Sequence, residues 1–402
     1  MTGTTVLLPR PDRSIEEFEL GRTPFAGISA APPPRSREAF AAPHVVADVL
    51  APGDPTRDVA IDWDATLAYR RHLWSLGFGV AEAMDTAQRG AELPWSVSSE
   101  LIERSAAEAR ACGGVIASGV STDHLDDMGT HHLEDIAAAY ELQLEHVQNV
   151  GSRVIMMASP ALAAVARSAE DYLDVYGRVL RQADDPVIVH WLGKMFDPDL
   201  AGYWGSSDPA VAMGTVLELC HRHADVVDGV KFSLLDAEQE VELRRRLPEG
   251  VRCYTGDDLA YPGLIRGDEE GYSDALLGVF DPLAPVAAAA LQALDEGDTD
   301  RYDALLGPTV DLSRLVFEAP TAHFKVGVVF LAFLSGHQDH PRLVGGLESR
   351  RSVSHLAELV RRAEAAGVLP DPELAAERAG HIFASAGVGV GRSRAVRRGD
   401  HG

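Results

Sequence analysis

The feature that most constrains the fold is a repeated alternation of two patterns. Between residues 44 and 297 a strand-length apolar run is followed by an amphipathic helical stretch, eight times in succession. The runs fall at 44–50, 80–84, 114–118, 154–158, 186–191, 228–233, 251–256 and 275–280, with helical periodicity near 64–76, 98–111, 131–150, 169–183 and 208–223 and after each later run. Such alternation calls for a parallel sheet whose faces are covered by the crossover helices. Eight units favour closure into a barrel over an open sheet. No glycine fingerprint for a dinucleotide follows the first run, as it would in the open-sheet alternative.

The expected class is therefore α/β, a (β/α)8 TIM barrel over residues 43–297. Residues 1–42, with the Pro-rich stretch 31–34, read as an N-terminal extension. Helical patterns near 299–318, 321–335, 352–367 and 372–385 predict a C-terminal helical appendage over 298–386, and the Gly/Arg-rich end at 387–402 reads as a flexible tail.

Charge narrows the partners. With 36 basic against 61 acidic residues the net charge is -25, which repels nucleic-acid backbones and anionic lipid surfaces. No apolar run approaches the ~20 residues of a membrane span, and the opening MTGTTVLLPRPDRSIEEFEL lacks the basic, apolar and small-residue regions of a secretory signal, so the expected location is the cytoplasm. Cys112, Cys220 and Cys253 form no C-x-x-C pair and suggest neither a disulfide framework nor a zinc site.

In such a barrel the chemistry lies at the carboxyl ends of the strands. Lys231 stands out there, because Gly229-Val230-Lys231-Phe232-Ser233 places an ammonium in an apolar strand. A desolvated lysine loses charge readily and becomes a nucleophilic amine able to form an imine with a ketone or aldehyde. His190 lies near the end of the fifth run, where an imidazole can move protons near neutral pH. Asp85, Thr86, Trp191, Lys194, Thr255 and Asp257 occupy neighbouring strand ends and are the candidates for holding substrate. Glu82, Asp123, His124 and His190 also have the side chains of a divalent-metal site, which leaves open a metal-dependent isomerase or epimerase, as well as a barrel that binds a metabolite without turning it over.

Several segments occur in order from about residue 43 to about 370: Ser159-Pro160, Asp185-Pro186-Val187-Ile188-Val189, DGVKFS at 228–233, CYTGDD at 253–258, ALLGVF at 275–280 and Pro320-Thr321-Ala322-His323-Phe324-Lys325-Val326-Gly327. Together they resemble the dihydrodipicolinate synthase and N-acetylneuraminate lyase superfamily. The resemblance implies a class I aldolase-type barrel in which Lys231 is the Schiff-base lysine and Gly256-Asp257-Asp258 is the turn after strand seven. It also implies that no metal or organic cofactor is needed, the iminium serving as electron sink, and that copies of the chain pair into dimers or tetramers. The apolar stretch VGVVFLAFL at 326–334 offers surface for that pairing.

The departures from the family pattern concern the substrate. His190 stands where pyruvate-handling members carry a tyrosine, and Ala161 and Leu162 where some lend a second one. Asp85-Thr86 replaces a Thr-Thr or Ser-Thr pair, and Lys194 occupies the region of an arginine. An aspartate repels a carboxylate but accepts hydrogen bonds from hydroxyls. The expected substrate is thus a small carbonyl compound, hydroxylated or sugar-derived, acted on by a lyase or aldolase.

Overall fold

The computed structural model describes residues 4–21, 28, 30–90, 92–126 and 129–389; of the tail expected at 387–402, residues 390–402 lie outside that set. Two strands, β1 (Thr4–Pro9) and β2 (Ile15–Leu20), form an antiparallel hairpin. Eight more, all parallel, follow: β3 (Ala39–Ala41), β4 (Gly79–Glu82), β5 (Ile116–Val120), β6 (Arg153–Met156), β7 (Val187–Leu192), β8 (Val227–Ser233), β9 (Arg252–Thr255) and β10 (Asp274–Leu277). They pair in chain order, and β10 closes on β3, so the sheet is a barrel, as the eightfold alternation implies.

Each strand places alternate residues inside the barrel and beneath the helices. Phe40, Ala81, Ala117, Ile155, Ile188, Tyr254 and Leu276 fill the interior in contact with one another, which makes it a packed core and not a pore. The other face lies under the helices α1 (Trp63–Ser75), α2 (Trp95–Cys112), α3 (Leu133–Asn149), α4 (Pro160–Val165), α5 (Ala169–Leu180), α6 (Pro209–Arg222), α7 (Ala237–Arg246), α8 (Tyr261–Arg266) and α9 (Phe280–Asp295). Side-chain oxygens of Asp62, Ser168, Asp208 and Asp236 accept otherwise unpaired N–H groups at the starts of α1, α5, α6 and α7, so the helix starts are written locally in the sequence.

The first barrel strand is not the run at 44–50. It is Ala39–Ala41, where Ala275 N–H reaches Glu38 O at 2.9 Å and Ala42 N–H reaches Leu277 O at 3.1 Å. Pro43 has no N–H to extend this ladder. The more hydrophobic run beyond it lies outside the barrel sheet, with Ala47 bridging antiparallel to Ile61.

The N-terminal residues are likewise more than an extension. Val6, Leu8 and Leu20 are buried in one cluster with residues of the C-terminal helices α13 (Val353–Ala366) and α14 (Pro372–Ser385), and Arg361 of α13 pairs with Glu16 at 2.7 Å. The appendage also contains α10 (Thr299–Leu306), α11 (Val310–Val316) and α12 (Phe324–Leu334). Every residue of α12 is buried, packed among α9, α11, α13 and α14. Its apolar surface is consumed inside the chain, and the ground it offered for self-association lapses. Among the described residues no single helix is long and apolar enough to cross a membrane.

The hairpin can be tested as part of the core. Leu8 is fully buried and Leu7, beside it, is 40% exposed. Leu8→Ala is expected to cost about 2–5 kcal/mol in chemical denaturation, and Leu7→Ala no more than about 0.5 kcal/mol. Equal, small effects would show that the hairpin is not packed into the fold.

Candidate active site

Register brings two of the candidate residues together. His190 of β7 lies directly opposite Lys231 of β8, and Leu192 opposite Ser233. All four, with Met84, Asp85, Thr86, Asp258 and Gly278, line a small chamber of about 20 Å3, room for about one water, at the carboxyl end of the barrel. Phe196, Phe317 and Phe324 complete its wall, the last two stacked with centroids 4.7 Å apart. Two glycines make room. A Cβ on Gly256 would collide with Ser233 Oγ and lie 3.0 Å from Lys231 Cε; one on Gly278 would lie 2.9 Å from Thr86 Oγ1.

The Lys231 ammonium is buried and has no ion-pair partner within 4 Å among the described residues. Burial draws its pKa down to about 8, although the charges of Asp258 and Asp85 partly oppose the fall. Asp258 is buried too, and desolvation lifts its carboxyl above the ordinary carboxylate range. Its Oδ1 accepts the Val279 N–H at 2.9 Å, while its backbone carbonyl accepts the hydroxyl of Ser313 in α11. His190 is held neutral by burial and by the charge of Lys231. Its Nε2 meets Ser233 Oγ at 3.1 Å, whereas its buried Nδ1 has no protein partner.

Asp85, Leu192 and Phe196 border both this chamber and a wider basin beneath the appendage. Lys325, in the first turn of α12, enters that basin and places Nζ 3.0 Å from Asp85 Oδ1 and 3.8 Å from Glu92 Oε2. Burial works against its charge, but Asp85, Glu92 and Asp197 outweigh it and hold its pKa above the usual lysine value.

The remaining candidates lie elsewhere, for reasons of strand geometry. Trp191 follows His190 and so points to the outer face, edge-on to Phe232 with centroids 5.2 Å apart. Thr255 also faces outward; its hydroxyl donates to Glu240 at 3.0 Å. Lys194 is exposed and borders a separate groove beside Ser206 and Asp236. Asp257 accepts the N–H groups of Leu259 and Ala260 at 2.8 and 3.0 Å, a capping role, and it is Asp258 that lines the chamber.

The metal reading fares similarly. Glu82 is held by Arg70 through two contacts of 2.9 Å, Asp123 by Arg89 at 2.8 Å, and His124 Nδ1 by Gln143 at 2.9 Å. Among the described residues no three His, Cys, Asp or Glu side chains converge on a metal position. Sequence reasoning missed Ser233, Lys325 and the three phenylalanines as chamber or basin residues, and of the two aspartates after the seventh run it favoured Asp257 over Asp258. A signal did exist for one of them: Lys325 is the single charge in the eleven-residue helix FKVGVVFLAFL.

Known structures share this architecture. Dihydrodipicolinate synthase from Aquifex aeolicus matches with a TM-score of 0.63 at 13% identity, over 83% of this chain and 99% of that one. The synthase from Bacillus clausii matches with a TM-score of 0.61 at 14% identity, over 82% and 97%. A prophage protein of the dihydrodipicolinic acid synthase family from E. coli K12, solved in complex with pyruvate, matches with a TM-score of 0.60 at 13% identity, over 87% and 99%. At such identities the likeness shows the fold, which is the one the sequence motifs suggested. No curated protein matches. A family model matches residues 6–388, and the chain therefore belongs to the family described as Protein of unknown function (DUF993).

Proposed function

We propose that this protein is a lyase or aldolase that forms a Schiff base between Lys231 and a small carbonyl compound. The observation that carries the reading is the Lys231 amine, buried without an ion-pair partner at the carboxyl end of the barrel, in a small chamber that shares Asp85, Leu192 and Phe196 with a basin of about 570 Å3. A lysine that only stabilised the fold would be expected to have a carboxylate against it, as Lys325 does.

In this mechanism the neutral amine attacks the carbonyl carbon. A C–N bond forms, the carbonyl oxygen takes one proton from the nitrogen and a second from an acid in the chamber, and water leaves as the iminium forms. The iminium then accepts the electron pair of a C–C bond at its α-carbon as that bond breaks, or of an α C–H bond as the proton is removed, and the enamine so formed can expel a β-hydroxyl that leaves with the C–O electron pair. His190 and Asp258 are the groups placed to exchange protons with the reacting atoms, since both line the chamber beside Lys231. Each has a conformational anchor, Ser233 for His190 and Val279 N–H for Asp258, so neither must reorganise to act. Asp85 and Thr86 supply hydrogen-bonding groups for substrate hydroxyls, which supports a hydroxylated or sugar-derived substrate, and the phenylalanine wall keeps water from the imine.

Borohydride reduction in the presence of a panel of keto acids and keto sugars is expected to add one substrate's mass to the peptide containing Lys231. Lys231→Ala should remain folded and lose both labelling and turnover. Modification of a different lysine, or full activity in the alanine variant, would sink the imine assignment.

Acidity gives a second check. Because burial lowers the Lys231 pKa to about 8, the reactive amine is present above that pH and is lost below it. Trapping rates should level off above pH 9 and fall about tenfold for each pH unit below 8. A rate still climbing at pH 10, as for an ordinary lysine, would contradict the chamber's effect on this group.

A further inference from the structure

We propose that Lys325, contributed by the appendage, is a positioning residue that neutralises Asp85 and so keeps an uncompensated negative charge from stabilising the Lys231 ammonium. The inference deepens the reading above, since Lys231 is the reactive group there, but its test needs no substrate.

Three buried or half-buried charges line two adjoining spaces. Lys231 is inside the chamber, Asp85 forms part of the wall between chamber and basin, and Lys325 reaches Asp85 from the basin side at 3.0 Å. The charged and titratable groups around Lys231 are Asp258 after β9, His190 on β7 and Asp85 after β4. Those around Lys325 are Asp85 and Glu92 from the segment after β4, Asp197 from the segment after β7 and His323, two residues before it. Arg350 meets His323 Nε2 at 3.2 Å and leaves Asp85 to Lys325.

Asp85 is thus within the electrostatic reach of two lysines and touches one. A carboxylate facing a buried amine favours the protonated, unreactive form of that amine. A paired carboxylate does so far less, because at low dielectric its field and that of its cation largely cancel at a third site. The helix that carries Lys325 starts at the stacked Phe317 and Phe324 of the chamber wall, so the appendage supplies the counter-charge and the apolar wall from one place.

The test is competitive labelling of the substrate-free protein with acetic anhydride between pH 6 and 10, reading acetylation of the Lys231 peptide by mass spectrometry. Lys325→Met should leave about tenfold less free amine on Lys231 at pH 7.5, the labelling midpoint moving to higher pH. Lys325→Arg, which keeps the charge, should label like the wild type. In Lys325→Met/Asp85→Asn the labelling should return to the wild-type level or beyond, and Asp85→Asn alone should move the midpoint to lower pH. The last variant keeps the proposal falsifiable if loss of Lys325 unfolds the appendage. An unchanged midpoint in Asp85→Asn, or a shift in Lys325→Met that persists in the double variant, would overturn the proposal. Failure of borohydride trapping with normal labelling behaviour would instead count against the imine reading alone.

Discussion

Closure of β10 on β3 decides which side chains meet inside this molecule. In a closed sheet each strand has one inward face, and a residue's parity along the strand fixes whether it enters the interior or the helical layer. His190 and Lys231 enter and sit side by side, whereas Trp191, Phe232 and Thr255 turn outward. The interior beneath them is filled with Phe40, Tyr254, Ile188 and their neighbours, so the polar groups form a cap on a dry plug. Phe317 and Phe324 of the appendage line the chamber that these groups share.

Two lysines show what local surroundings do to the same side chain. Both are nearly as buried as each other, at 8% exposure. Lys325 touches carboxylates and is held charged, while Lys231 has them only at a distance and is driven toward the neutral amine. The comparison separates desolvation, which acts on both, from direct pairing, which acts on one.

Much of this was legible in the amino-acid sequence. Period and spacing revealed the barrel, the helical appendage and most helix boundaries, because apolar periodicity and side-chain caps are local properties. The exceptions were the N-terminal hairpin and the first barrel strand, where a three-residue segment, AFA, is held by pairing with β10, more than two hundred residues away. Lys231 was legible because a charge inside an apolar strand is anomalous wherever it occurs. Asp258 was not distinguished from Asp257, since which of two adjacent aspartates caps a turn and which enters the chamber depends on a backbone path that composition does not encode. Lys325 belongs to a helix whose apolarity invited a packing explanation, and its pairing with Asp85 spans 240 positions of sequence.

The hairpin at the start of the chain shares a core with the last two helices, so the beginning and end of the sequence meet in one layer. On a ribosome, β1 and β2 would emerge long before α13 and α14 exist to cover Val6 and Leu8. The barrel strands would likewise be complete while Phe317, Phe324 and Lys325 were still unmade. A nascent barrel would hold Lys231 at an open, wet mouth, with its amine protonated like that of any surface lysine. The lowered pKa of this group would then be acquired only once the appendage has packed over the barrel.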